Sequence, residues 1–262
     1  MTYFSLKDHQ SLAFRAGSLT SDDDAQLTYD KLLELHHSLH RRLRDHNYDL
    51  HPHWNRASIV TSGSVTAANE AETLTLSYFR SQEQATLVER LMGRDRLDRP
   101  VEVEMYRHPV VELRLTPNHF AVELVLTPDA WWDQQNFIGK LAIPRHRETL
   151  RQIMQRMDGD FNFGFWDGAD LSDMHLTTKQ LARSAYMTEW MNTFCDGQDW
   201  LRLGMWYTPE DERLDTTRIV SELARRVGAL YSVYTFLLWT SNNDFHNFYH
   251  KSSIKTPSIH HA

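Results

Sequence analysis

Apolar positions change their spacing several times along this chain, and each change predicts an element. Leu32, Leu35, Leu39 and Leu43 recur every three or four residues, lining one side of a helix over about residues 24–46. Ser21 and the acids Asp22, Asp23 and Asp24 stand at its start, where a capping oxygen and carboxylates meet the positive end of the helix dipole. From Tyr48 to Ala71 the pattern dissolves into Pro52, Gly63 and many Ser, Thr and Asn, which reads as an irregular connector with a short strand at Ser58–Thr61. A two-residue period then runs through Thr73–Phe79, with Leu74, Leu76 and Tyr78 on one side. Ser81 and Gln84 have the spacing of a capping box, opening a helix with Leu87, Val88 and Leu91 that Gly93 is placed to end.

The clearest alternation lies between residues 101 and 127. Val101, Val103 and Met105 alternate with Glu102, Glu104 and Tyr106, which predicts a strand. After Pro109, Val111, Leu113 and Leu115 alternate with Glu112 and Arg114. Pro117–Asn118 supplies a turn, and Phe120, Val122, Leu124 and Leu126 alternate again. If Thr116 and His119 flank that turn, Leu115 faces Phe120 and Leu113 faces Val122, so both apolar rows share a face. The same register sets Glu112 opposite Glu123 on the other face, with Arg114 two residues along.

Later segments follow the same logic. Pro128–Asp129 opens a helix holding Trp131, Trp132 and Ile138, and Pro144 opens another with Leu150, Ile153 and Met154. Phe161, Phe163 and Phe165 read as a strand, Thr177 with Gln180 caps a helix to about Cys195, and Trp200–Tyr207 is a further strand. The last long helix starts at Asp215 or Thr216 and turns Ile219, Leu223, Val227, Leu230 and Tyr234 inward. The predicted class is α+β, with a mostly antiparallel sheet of about six strands packed against long helices. A mixed sheet is the structural alternative. Residues 1–243 form a single domain in this reading, and 244–262 a polar, frayed tail.

Composition narrows the function classes. The sequence is 41% hydrophobic, 24% charged and 11% aromatic, values of an ordinary folded domain with an aromatic-rich core. A formal charge of −7 argues against non-specific coating of nucleic acid, which needs a basic field. One cysteine, Cys195, forms no intrachain disulfide, and Lys7, Asp8, His9 and Gln10 stand where a signal peptide needs an apolar core. The apolar run Val227–Trp239, at about 1.5 Å per residue, is too short to cross a bilayer. The expectation is a cytoplasmic protein without a membrane segment.

Three clusters could carry chemistry. His36 and His40 stand four apart on a helix, the spacing at which two imidazoles share a metal, and His51, His53 or Asp49 could add a third ligand. The plainer reading is histidines at the edge of the leucine stripe. Glu112 and Glu123, with Arg114 beside them, could hold a divalent metal ion for phosphodiester hydrolysis. Here the plainer reading is a solvated or arginine-paired sheet face. Trp166, Trp206 and Tyr207 lie at strand ends near acidic loops, where aromatic walls could hold a cationic or flat ligand. A weak internal echo, Gly164-Phe165-Trp166 against Gly204-Met205-Trp206, would place the two tryptophans at equivalent strand ends.

No nucleophile elbow, dinucleotide fingerprint or P-loop occurs in the sequence. Two function classes remain. A non-catalytic binding or accessory protein leads, because no catalytic constellation is complete; a protein partner or small ligand ranks ahead of nucleic acid as its target. The alternative is a metal-dependent hydrolase, nuclease or phosphoesterase, built on the sheet carboxylates or the histidine pair, with a divalent metal ion as its cofactor.

Overall fold

A computed structural model describes residues 1–13, 22–53, 58–62, 65, 73–93, 101–158, 160–164, 175–194 and 197–245. In chain order the described elements are α1 (Leu6–Ala13), α2 (Asp22–Asp45), β1 (His51–Pro52), β2 (Val60–Ser62), β3 (Leu74–Phe79), α3 (Gln82–Leu91), β4 (Val110–Leu115) and β5 (Phe120–Leu126). They continue with α4 (Trp131–Ala142), α5 (Pro144–Arg156), β6 (Asn162–Gly164), β7 (His175–Thr177), α6 (Thr178–Leu181), α7 (Ser184–Thr193), β8 (Leu201–Tyr207) and α8 (Ile219–Leu237). The class is α+β, as the patterns predict. No helix among the described residues is long and apolar enough to cross a membrane.

The strands form one sheet in the order β1-β3-β4-β5-β8-β6-β7, with β2 also on β3. Every pairing among the described strands is antiparallel, so the mixed alternative is not realised. The central hairpin has the predicted register: Leu115 pairs with Phe120, Leu113 with Val122 and Glu112 with Glu123. Strands outnumber the expected six because β1, β2, β6 and β7 are only two or three residues long. So few residues leave little alternation to read.

One sheet face carries Leu76, Leu113, Val122, Leu203 and their row neighbours, all buried in the main core. Leu32, Leu35, Leu39 and Leu43 of α2, with Leu223, Val227 and Leu230 of α8, pack in the same core. Each such leucine contributes roughly 1.5–3 kcal/mol relative to an exposed side chain. The carboxyl end of α8 is tied down by polar side chains, since its last carbonyls have no intrahelical donor. Asn136 of α4 donates to the Leu237 carbonyl at 3.1 Å, Lys140 to Phe236 at 2.5 Å, and Asn243 to Thr235 at 3.0 Å.

Two expectations need correction. Residues 101–104 are not a strand, and Met105–Arg107 is a short 3-10 turn. Val103 and Met105 are buried in a small second cluster with Phe79 and Val110, while Glu102 and Tyr106 are exposed. An extended segment lying on the protein alternates in burial as a strand does, without joining the ladder. The helix from Thr177 is broken in two, because Arg183 is extended and the Ala182 carbonyl accepts from Arg151 Nη1 at 3.3 Å. Its capping box is present, with Thr177 Oγ1 accepting from the Gln180 amide and Gln180 Oε1 from the Thr177 amide. Phe165 and Trp166, which the internal echo sets against Met205 and Trp206, lie outside the described residues.

Candidate functional site

The sheet's second face is polar but closed. Across five strands the register aligns Ser77, Glu112, Glu123, Gly204 and Asn162 in one row. Glu112, Glu123 and Arg114 are at most 1% exposed, so the candidate acids do not face open water. Arg202 of β8, missed in the sequence reading, completes the group. Its alternation with Leu201 and Leu203 turns it away from the apolar face, and the pairing of β8 with β5 puts it beside Glu123.

Glu123 takes most of the charge pairing. Arg114 Nη2 donates to its Oε1 at 2.8 Å, while Arg202 donates Nη2 to the same oxygen at 2.8 Å and Nε to Oε2 at 3.1 Å. Burial alone would raise the Glu123 pKa, but the two guanidinium groups outweigh it and hold the carboxyl below its usual range. Gly204 makes room for this arrangement: a Cβ there would lie 2.7 Å from Glu123 Cγ and 2.9 Å from the Val122 carbonyl oxygen. Glu112 accepts the Val65 amide at 3.0 Å and lies 3.8 Å from Arg114 Nε. With its oxygens taken by arginines, Glu123 is arranged as a structural ion-pair centre.

The histidine pair meets an aromatic partner. His36 is buried (3% exposed), and its Nδ1 lies 2.9 Å from the Tyr78 hydroxyl on β3. Its ring stacks on His40 at 5.2 Å, and His40 stacks in turn on Tyr78 at 6.1 Å. Among the described residues no three His, Cys, Asp or Glu side chains come close enough to share a metal ion. Burial, with His40 and His37 adding like charge, pushes the His36 pKa down to about 4.

That shift has a stability sign. Between about pH 4 and 6.5 the unfolded chain binds a proton that folded His36 refuses, so stability rises with pH through this window and is lost on acidification. Urea unfolding of a His36→Phe/Tyr78→Phe pair, which leaves no orphaned hydroxyl, is expected to lose about 2.5 kcal/mol of the wild-type difference between pH 7.5 and 4.5. An unaltered difference would mean that His36 is not held neutral.

The aromatic trio is divided. Trp166 lies outside the described residues, as does Cys195. Trp206 and Tyr207 are neighbours in β8 and point to opposite faces. Tyr207 sits in the main core and donates its hydroxyl to Glu222 Oε1 at 3.0 Å; Trp206 is half-buried on the polar face. They do not form one aromatic wall.

A cleft that the sequence reading did not find lies beside the last turn of α8. It encloses about 250 Å³ and is lined by Asp49, Gln84, Tyr231, Tyr234, Thr235 and Asn243, among others. Its residues come from the segment after α2, from α3, from α8 and from the chain beyond it. Gln84 is the half of the expected capping box that the structure reassigns: Ser81 Oγ accepts the Gln84 amide at 3.4 Å, but the Gln84 side chain donates to Asp49 Oδ2 at 3.3 Å. The Tyr231 hydroxyl accepts the Asp49 amide at 3.0 Å. Tyr234 is 1% exposed, and its hydroxyl has no hydrogen-bond partner among the described residues. Burial raises its pKa, so the phenol keeps its proton. No protein-family model matches this sequence, and no curated protein matches it either.

Proposed function

We propose that this chain is a non-catalytic binding protein of the cytoplasm, holding a small ligand in the cleft beside α8. One observation carries the reading: Tyr234, whose buried hydroxyl is unpartnered among the described residues, lines a cleft of about 250 Å³. Buried polar groups in folded proteins are nearly always hydrogen-bonded, and a ligand atom would satisfy this one. The volume falls below the roughly 300–1,000 Å³ of pockets for drug-sized molecules, which points to a smaller ligand. Binding is favoured over hydrolysis because Glu123, the best-placed sheet carboxylate, is engaged by Arg114 and Arg202.

The test is a ligand-detected NMR screen of small amines, amides, alcohols and carboxylates, with Tyr234→Phe as the control. Because that hydroxyl has no partner among the described residues, the variant is expected to melt no lower than the wild type. Binders are expected to lose about tenfold in affinity in Tyr234→Phe and to be recovered chemically unchanged. Binders indifferent to the substitution, or converted to product, would overturn the reading.

A further inference from the structure

The cleft's polar atoms are biased toward acceptance. Gln84 turns its amide nitrogen to Asp49, so its Oε1 is the free end; that oxygen is buried and meets no donor among the described residues. The Tyr234 oxygen is in the same condition, and Asp49 adds a carboxylate at the rim. No lysine, arginine or histidine lines the cleft among the described residues. Nearby basic side chains have partners of their own: Lys140 donates to the Phe236 carbonyl and Asn243, Arg80 donates to Asp133, and His51 Nε2 lies 2.7 Å from the other oxygen of Asp49, at the rim itself. The Tyr231 and Tyr234 rings, 5.9 Å apart at 19°, stack on each other in the cleft wall.

We infer that the cleft takes a small ligand bearing a protonated primary amine, held by Asp49, Gln84 and Tyr234; this rests on the cleft being the binding site. An ammonium group has three N–H donors and no acceptor, matching the three oxygens, and its charge is favoured by the Asp49 carboxylate. A carboxylate ligand would set like charge against Asp49. An alcohol has a single donor and would leave acceptors unmet.

The experiment compares n-butylammonium, 1-butanol and butyrate at neutral pH by calorimetric titration, with Tyr231 and Tyr234 ring resonances reporting the site. The ammonium is expected to bind at least about tenfold more tightly than the other two. Asp49→Asn, an exposed position, should remove that preference without lowering the melting temperature. Butyrate or 1-butanol binding in the cleft as tightly as the ammonium would overturn the ligand class and leave the binding reading intact. If none of the three perturbs the tyrosine resonances, this inference fails, while the binding reading is decided by the amides and other probes of the wider screen. An ammonium preference that survives Asp49→Asn would also overturn the assignment.

Discussion

Glu123→Ala is expected to destabilise the fold by about 5 kcal/mol or more, a large part of the roughly 5–15 kcal/mol that holds a domain together. The substitution removes the shared acceptor of Arg114 and Arg202, both 0% exposed, and leaves two guanidinium groups buried side by side. Removing one partner of a buried ion pair costs about 3–5 kcal/mol because the remaining charge loses its counter-charge, and here two guanidinium groups lose a shared one, with Glu112 still 3.8 Å from Arg114 Nε. Glu123→Gln retains an acceptor without the charge and should lose less. The triple change Glu123→Leu/Arg114→Met/Arg202→Met should recover part of the loss, since an apolar replacement removes the desolvation cost of these three groups along with their attraction, while buried Glu112 loses the guanidinium beside it. Urea unfolding followed by circular dichroism measures all three. A loss under about 1 kcal/mol in Glu123→Ala would show that the arginines do not depend on it.

The hairpin around Glu123 was the most legible part of the chain, and the reason is geometric. Strand side chains alternate strictly, so Leu113, Leu115, Phe120 and Val122 on one face forced Glu112 and Glu123 together on the other. Alternation could not reveal that the polar face is itself covered. Antiparallel sheets commonly leave such a face in water, and the pattern is identical when arginines from neighbouring strands neutralise it. Arg202 was readable only once β5 and β8 were known to be neighbours, a fact about topology and not about local pattern. The false strand at 101–106 has the converse cause, because Val103 and Met105 alternate in burial without strand partners.

The cleft was less legible for a related reason. Asp49, Gln84 and Tyr234 are far apart in sequence, and each had a sufficient local explanation. Gln84 fitted a capping box and Tyr234 fitted the inward stripe of α8, so neither left a residue unexplained. Only the fold shows that Gln84 turns its side chain to Asp49 and that the Tyr234 hydroxyl has no partner among the described residues. The histidines were a middle case. Helical spacing placed His36 beside the leucine stripe, but its partner Tyr78 comes from β3, on the far side of an irregular connector.

Asp133→Ala should cost about 3–5 kcal/mol, because it breaks a second buried ion pair, one that fastens three elements at a single oxygen. Asp133 Oδ1 accepts from Arg80 Nη2 at 2.5 Å and from the Trp239 amide at 2.6 Å, and Arg80 and Asp133 are both 0% exposed. Arg80 follows β3, Asp133 lies in the first turn of α4, and Trp239 lies just beyond α8. The alanine variant strands the Arg80 charge and orphans the Trp239 amide. Asp133→Asn keeps an acceptor for that amide and should fall between the two. Replacing both partners, Arg80→Met with Asp133→Leu, should cost less than Asp133→Ala alone, and a double-mutant cycle measures the difference as coupling. Hydrogen exchange gives a local readout: the Trp239 amide should lose protection in Asp133→Ala and keep more of it in Asp133→Asn. Leu238 and Asn243 flank this anchor and line the cleft, so loosening it should also weaken n-butylammonium binding. Additive losses in the cycle, with Trp239 protection unchanged, would mean that the three elements are not fastened there.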